Sequence, residues 1–74
     1  MSFAGKNLKY LRHLKGWTQE AFAKKIKNKR ASIGAYEEGR AEPNLETLRH
    51  ASRLFKVSLD ALLLQDLENI EHVN

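Results

Sequence analysis

Two short amphipathic segments, separated by a break too short to hold another element, constrain the fold of this chain most strongly. Residues 17–23 read Trp-Thr-Gln-Glu-Ala-Phe-Ala, and residues 33–39 read Ile-Gly-Ala-Tyr-Glu-Glu-Gly. Apolar residues recur in both segments at helical spacing, and a glycine such as Gly39 is typical of a helix end. The pattern therefore predicts a helix, a tight turn and a second helix.

Positive charge is concentrated in the first half of the chain. Residues 1–40 carry ten Lys or Arg and three Asp or Glu, whereas residues 41–74 carry three and six. The break between the two segments contains Lys24, Lys25, Lys27, Lys29 and Arg30. Basic residues at the bend between two helices suit a protein that brings one helix end into a DNA groove. Charge alone fits a solvated lysine-rich helix face equally well.

Length and composition limit the remaining fold classes. Seventy-four residues support one small domain with a single core. Because the chain has no cysteine, neither disulfides nor thiolate metal ligands can stabilise it, which favours a compact helical bundle. No apolar run approaches the roughly 20 residues of a membrane span, and no signal peptide precedes the basic segment. We expect a soluble cytoplasmic protein with no membrane contact.

Capping residues place the first three helices. The first covers residues 6–15 and ends at Gly16. The second follows the N-cap Thr18 and runs to about residue 26, with Trp17 and Phe22 placed to form a hydrophobic staple. The third covers residues 29–38, and Asn28 is an alternative N-cap that would start it one residue early.

Two further helices follow, capped by Asn44 and by Ser58 and ending near residue 64. Helical spacing predicts a core made by one face of each helix. The side chains expected to be buried are Leu8, Leu11, Leu14, Phe22, Ala23, Ile26, Ile33, Tyr36, Leu45, Leu48, Ala51, Leu54 and Phe55.

Five strings across residues 7–64 together resemble a known family: 8–12, 16–23, 33–39, 43–48 and 57–63. The chain resembles the phage-repressor and Cro type of helix-turn-helix protein, the xenobiotic-response-element family of bacterial regulators. This resemblance implies an all-α, compact five-helix bundle of the lambda-repressor-like DNA-binding type, with the helix-turn-helix formed by helices 2 and 3. The DNA-binding domain would cover residues 1–64.

The resemblance also implies which residues meet DNA, with helix 3 in the major groove and helix 2 across the phosphates. The candidates for base contact are Lys29, Arg30, Ala31 and Ala35. The candidates for phosphate contact are Thr18, Gln19, Lys25, Lys27, Ser32, Arg40 and Asn44. Arg12 and Glu37 fall where relatives place a partly buried ion pair between helices 1 and 3.

Three positions depart from the family pattern. Lys27 stands where the turn usually has glycine, so a left-handed backbone there would cost about 1 kcal/mol. Lys29 stands where a Ser or Thr usually caps the recognition helix, and lysine cannot accept a backbone hydrogen bond. Gly34 inside helix 3 adds a cost of about 0.5–1 kcal/mol relative to alanine.

Among the candidates, Arg30 offers the most specific chemistry. Its guanidinium can donate to guanine O6 and N7 together, although a phosphate contact without sequence information is the alternative. Ala31 and Ala35 can contact only thymine methyl groups, so we expect modest sequence selectivity supported by DNA shape. For Lys25 and Lys27, loose electrostatic attraction is the alternative to defined contacts.

Catalysis and metal binding find no support in the sequence. The three histidines, His13, His50 and His72, share no metal-ligand spacing. Glu37 and Glu38 adjoin on a helix and point in different directions, and no serine has a neighbouring base. We therefore predict a non-enzyme without catalytic residues, bound metal or cofactor.

The acidic segment 65–74 is a separate region that could extend the last helix or contact a second copy. Leu63, Leu67, Ile70 and Asn74 would form one stripe of a helix continuing from helix 5. One interpretation is a homodimer interface, and the alternative is that the segment folds back on helix 1 near Phe3 or frays.

The function expected from all of this is sequence-specific binding of double-stranded DNA by a small transcriptional regulator. It would repress where its site overlaps a promoter, and would lie in the cytoplasm at the nucleoid. The alternatives are an antitoxin or other protein-interaction module, whose tail binds a protein partner, and a restriction–modification control protein.

Overall fold

The structure is a computed structural model that describes residues 2–72, with the side chains of residues 2–70. Across that range it contains six α-helices and no strand. The helices are α1 (Ala4–Leu14), α2 (Gln19–Lys25), α3 (Arg30–Glu37), α4 (Leu45–Phe55), α5 (Leu59–Leu64) and α6 (Leu67–His72). Within the same residues, no helix combines the length and the apolar character that crossing a bilayer requires.

Local signals in the sequence fix the helix ends largely as predicted. Thr18, Asn44 and Ser58 each accept a hydrogen bond from the backbone N–H three residues on, which confirms them as N-caps of α2, α4 and α5. Gly16 and Gly39 follow α1 and α3 in left-handed conformations, as expected for glycines that end helices. The all-helical bundle predicted from the sequence is therefore confirmed.

The core lies where α1, α2, α3, α4 and α5 meet. Its buried members are Leu8, Leu11, Phe22, Ala23, Ile26, Ile33, Ala51, Phe55 and Leu62. Trp17 stacks on Phe22 with ring centroids 6.5 Å apart, so the predicted staple at the start of α2 is present. Phe55 lies 5.4 Å from Phe22 and 5.7 Å from Trp17, and this aromatic cluster joins α4 to α2.

Two leucines predicted to be buried are exposed instead. Leu14 is 60% exposed at the last position of α1, and Leu45 is 65% exposed at the first position of α4. Helical spacing placed both on the buried stripe, but spacing does not show where the neighbouring helices stop covering it. Tyr36 and Leu54 are only half-buried, at the edge of the core.

The segment after α5 does not extend that helix, contrary to one expectation. Gln65 is extended, and α6 begins anew at Leu67. The side chain of Asn7, fully buried in α1, donates to the carbonyl oxygens of Leu62 at 2.8 Å and Gln65 at 2.7 Å, and accepts from the N–H of Leu67 at 3.1 Å. Asn7 thus satisfies backbone groups that the break in the helix leaves free.

Docked in this way, α6 folds back on α1, which was the alternative considered for the tail. The Lys6 ammonium lies 2.7 Å from the Asp66 carboxylate, and Leu67 packs in part against the core. The predicted continuous stripe from Leu63 to Asn74 is therefore wrong, because the break rotates α6 away from the register of α5. Asn74 itself lies outside the described residues.

An unexpected close contact joins α1 to α3. The first helix begins at Ala4, two residues earlier than predicted, and its second residue, Gly5, is buried. A Cβ atom at Gly5 would overlap the carbonyl oxygen of Tyr36 near the end of α3. At Gly34, in contrast, a Cβ would lie 3.8 Å from the nearest atom, Oε1 of Gln19, an ordinary van der Waals distance.

The two helical glycines should therefore respond oppositely to alanine. Gly34→Ala should raise the free energy of unfolding by about 0.5–1 kcal/mol, because the helix gains propensity without a clash. Gly5→Ala should lower it by about 1–3 kcal/mol, because α1 and α3 must separate. Urea denaturation of both variants measures the difference, and a stabilised Gly5→Ala protein would contradict the close crossing of α1 and α3.

Candidate nucleic-acid interface

The turn between α2 and α3 consists of residues 26–29 and takes a strained conformation. Lys27, at the turn position where the family usually has glycine, has a φ of 56°, in the left-handed region. That conformation costs a residue with a Cβ about 1 kcal/mol. The N–H of Asn28 donates to the carbonyl oxygen of Ala23 at 2.8 Å, which closes the end of α2.

Helix α4 holds this turn in place. Asn28 donates from Nδ2 to the hydroxyl of the buried Thr47 at 3.3 Å, and His50 Nδ1 lies 3.2 Å from the carbonyl oxygen of Ile26. The side-chain oxygen of Asn28 accepts from the N–H of Lys29 at 2.8 Å. The alternative with Asn28 as the N-cap of α3 is therefore wrong: Lys29 is the N-cap, and its side chain makes no capping hydrogen bond.

The start of α3 presents uncompensated positive charge. Lys29, Arg30 and Ala31 are exposed, whereas Ser32 and Ala35 are half-buried. Among residues 2–70, no ion pair engages Lys29 or Arg30. Of the residues predicted to meet base edges, Lys29, Arg30 and Ala31 thus lie together at one accessible helix end with both cations free, whereas Ala35 lies more than one turn further along α3.

A buried ion pair connects α3 to α1 and to the approach to α2. Arg12 donates from Nε to Glu37 Oε2 at 2.7 Å and from Nη2 to Glu37 Oε1 at 2.9 Å, and the two side chains are 9% and 3% exposed. Arg12 also donates from Nη1 to the carbonyl oxygen of Trp17 at 2.7 Å. The structure therefore contains the ion pair that the resemblance implied, in a bidentate geometry.

Glu37 also fixes the side chain of Gln19, the first residue of α2. Gln19 donates from Nε2 to Glu37 Oε1 at 3.0 Å, and its side chain lies over Gly34. The Gln19 amide thus covers Gly34, at a distance that would leave a Cβ atom there in ordinary van der Waals contact. The sequence did not reveal this contact, because nothing local links Gln19 to Gly34.

The surroundings of Glu37 lower its pKa below the ordinary value. Burial raises the pKa, but the hydrogen bonds from Arg12 and Gln19, and the charges of Arg12 and Lys9, lower it by more. The carboxylate is therefore ionised at neutral pH and bound on both oxygens.

The remaining phosphate-contact candidates occupy varied surroundings. Thr18 and Asn44 are exposed, with their side-chain oxygens engaged as N-caps. Lys25 Nζ lies 4.7 Å from the centre of the Trp17 ring, and Lys27 is exposed beside it in the turn. Arg40 pairs with Glu38 at 2.7 Å, with both side chains exposed.

The dimer candidates lie near the α5–α6 break and differ in exposure. Leu63 is half-buried, Leu67 packs in part on the core, and Ile70 is 44% exposed. Leu64, which was not singled out from the sequence, is 72% exposed. Ile70 is thus the candidate with an exposed side chain, whereas Leu63 and Leu67 are both half-buried.

Two short helices joined by a braced tight turn, with an accessible cationic start to the second helix, define the class of helix-turn-helix proteins. The chain belongs to the helix-turn-helix family, whose family model matches residues 8–62. This is a family of DNA-binding transcription regulators and not of enzymes.

Curated relatives from Bacillus subtilis are similar to this chain in sequence. A prophage-derived HTH-type transcriptional regulator of Bacillus subtilis, YonR, is 42% identical over 59 residues, which are 80% of this chain and 55% of YonR. The transcriptional regulator ImmR of the same organism is 37% identical over 62 residues, 84% of this chain and 49% of ImmR. The chain thus spans about half the length of these relatives.

Solved structures share the fold. The P22 c2 repressor, solved in complex with a synthetic operator, matches with a TM-score of 0.80 and 27% identity, over 89% of this chain and 100% of that one. Bacillus thuringiensis PlcR, solved with a peptide and DNA, matches with a TM-score of 0.72 and 20% identity, over 97% of this chain and 27% of PlcR. The second similarity concerns the fold alone.

Removing one member of the buried ion pair should harm the protein more than removing both. Glu37→Ala should lower the free energy of unfolding by about 3–5 kcal/mol, because it leaves the Arg12 guanidinium buried without a counter-charge. The double variant Arg12→Ala/Glu37→Ala should lose less, since no buried charge remains. Denaturant unfolding of the two single variants and the double variant measures the coupling, and equal losses from Glu37→Ala and the double variant would refute it.

The lowered pKa of Glu37 also predicts how stability depends on pH. Because the folded value lies below the ordinary 4.5, the ionised pair stabilises the protein above that pH, and the contribution is lost as the pH falls through the folded pKa. The free energy of unfolding should therefore decrease more steeply under acid conditions in the wild type than in Glu37→Gln. Asp66, whose pKa is also lowered, is present in both proteins. Parallel pH profiles would contradict the assignment.

Proposed function

We propose that this chain binds double-stranded DNA sequence-specifically as a transcriptional regulator, with α3 in the major groove. The observation that carries the proposal is the pair of free, exposed cations, Lys29 and Arg30, at the start of a helix that buried contacts hold at a fixed angle. The similarity to the P22 c2 repressor, solved on its operator, supports it. Repression follows where the bound site overlaps a promoter, and the protein acts in the cytoplasm at the nucleoid.

Arg30 carries most of the base recognition in this proposal. It is exposed and has no ion pair among the described residues, so its guanidinium is available to donate to guanine O6 and N7. Lys29 contacts a neighbouring base edge or phosphate, and the methyl groups of Ala31 and Ala35 meet thymine methyls. With so few donors on α3, DNA shape contributes to the selectivity.

The phosphates on either side are held by residues outside α3. The hydroxyl of Thr18 and the free amide hydrogen of Gln19 donate at the start of α2, while Lys25 and Lys27 supply charge at the turn. Three further residues, Ser32, Arg40 and Asn44, complete the phosphate contacts. Because Glu37 holds the Gln19 amide at 3.0 Å, this contact is oriented before DNA arrives.

A homodimer completes the proposal, since a two-fold operator needs two copies of α3 about one DNA turn, roughly 34 Å, apart. The exposed leucine and isoleucine around the α5–α6 break, Leu64 and Ile70, give the second copy an apolar surface, with Leu63 beside them. Leu67 contributes through its exposed part only, because the rest packs on the core.

Two single substitutions should separate base recognition from charge attraction. Arg30→Ala should reduce the preference for a selected duplex over unrelated ones by about 1–3 kcal/mol, because a bidentate base contact is lost. Lys25→Ala should weaken binding to all duplexes alike and reduce the slope of log affinity against log salt by about 1. Fluorescence anisotropy with a duplex selected from a random pool, and with a scrambled duplex, measures both.

The dependence of DNA affinity on salt concentration tests the proposed function as a whole. The affinity of the wild type for the selected duplex should fall steeply between about 50 and 200 mM salt, since neutralised phosphates release counterions. An affinity that stays flat across this range, or an Arg30→Ala protein that keeps its full sequence preference, would count against the proposed function.

A further inference from the structure

A second concentration of positive charge lies beside the turn, in a groove between α2 and α4. The groove has a volume of about 370 Å³ and is lined by Lys25, Lys27, His50, Arg53 and Leu54. Only Lys25 and Lys27 were predicted from the sequence to approach DNA. Arg53 and His50 join them because α4 packs alongside the turn, more than twenty positions later in the chain.

The charge in this groove is free. Of the ion pairs among residues 2–70, none involves Lys25, Lys27 or Arg53, whereas Arg49, which does not line the groove, pairs with Glu46 at 3.5 Å. No carboxylate lines the groove, and the nearby Glu46 carboxylate approaches His50 at 3.1 Å without pairing with Lys25, Lys27 or Arg53. Cations without a paired carboxylate are stabilised by an incoming anion.

The groove is also held in shape. Lys27 has a left-handed backbone, and the ring of His50 lies between the Ile26 carbonyl oxygen at 3.2 Å and the Glu46 carboxylate at 3.1 Å. Lys25 rests its ammonium over Trp17 at 4.7 Å. The cations thus come from α2, from the turn and from α4, which are three segments fixed relative to one another. An anion with several oxygens can meet all three at once, and the Arg53 fork suits a phosphate.

The position of the groove indicates that this phosphate belongs to the DNA backbone. Lys27 is two residues before Lys29, the N-cap of α3, so the groove adjoins the helix end that enters the DNA in the proposed function. A DNA strand whose bases meet the start of α3 carries further phosphates past this flank of the protein.

We propose that the groove lined by Lys25, Lys27, His50 and Arg53 binds a backbone phosphate of the DNA strand that lies beyond the base pairs contacted by α3. This inference rests on the proposed function and extends the protein's footprint on the duplex from α3 to the last turn of α4. Arg53 distinguishes this phosphate contact from those in the proposed function. It lies two turns beyond the N-terminus of α4, and none of the DNA contacts assigned above involves it.

The test compares Arg53→Gln with Lys56→Gln. Each variant removes one exposed cation near the C-terminal end of α4 and keeps a long polar side chain, but Lys56 follows the helix as its C-cap and does not line the groove. Both are measured on the selected duplex with long flanks and on the same duplex trimmed to the base pairs that α3 requires. Thermal unfolding verifies that both variants fold.

Arg53→Gln should lose affinity for the long duplex several-fold and reduce the salt slope by about 0.9, the value for one phosphate contact. Lys56→Gln should change neither quantity appreciably, and trimming should abolish the difference between the variants. Equal behaviour of the two variants on the long duplex would overturn the proposal, as would an Arg53→Gln defect that persists undiminished on the trimmed duplex.

A third arm identifies the source of the phosphate. Inorganic phosphate is titrated into the DNA-free wild type while the His50 ring protons are followed by NMR. Saturable binding of inorganic phosphate, without any dependence of DNA affinity on flank length, would show a site for a free anion and overturn the DNA assignment. A wild type that binds no duplex would instead refute the proposed function, so the two failures are distinguishable.

Discussion

The buried pair of Arg12 and Glu37 is the interaction on which the rest of the structure depends. Burying two charges is unfavourable, and here the loss of water is offset by a bidentate contact and by hydrogen bonds to Gln19 and to the Trp17 carbonyl. These bonds link α1, the entry to α2 and the end of α3, so the angle of α3 cannot change without breaking several of them. An apolar pair could supply similar stability, but it would lack the directional bonds that hold α3 at one orientation. We attribute to this pair the fixed presentation of the Lys29–Arg30 end.

The opposite end of α3 is fixed in a different way. The turn lacks glycine and takes a left-handed conformation at Lys27, which local sequence preferences oppose. Contacts from α4 maintain it, through Thr47 to Asn28 and through His50 to the Ile26 carbonyl oxygen. Helix α4 therefore does more than close the core: it sets where α3 begins, and the same packing brings Arg53 beside the turn. The strain at the turn and the cationic groove have one structural origin.

Signals that act over a few residues could be read from the sequence. Thr18, Asn44 and Ser58 were predicted as caps, and the Trp17–Phe22 staple was predicted from position. The absence of glycine at Lys27 showed that a left-handed turn there would carry a cost. Features that depend on distant partners could not be read in this way. The buried Asn7, which ends α5 and orients α6, resembles any polar helix residue until Leu62, Gln65 and Leu67 are seen around it.

The prediction that Leu14 and Leu45 are buried was wrong for a related reason. A helical stripe of apolar residues does not show where the helices that cover it end. The roles of the candidate residues for DNA contact remain predictions, because they depend on a partner outside the chain.

The cations of this chain divide by environment, and the division separates folding from binding. Arg12 and Lys6 are tied to carboxylates that hold α3 and α6 in place, and the Arg12 pair is nearly sealed from solvent. The cations at the turn, at the start of α3 and in the groove have no such partners among the described residues. Dissolved ions screen exposed charges much more strongly than buried pairs. The orientation of α3 is therefore maintained at salt concentrations that weaken the attraction of its exposed cations to a polyanion.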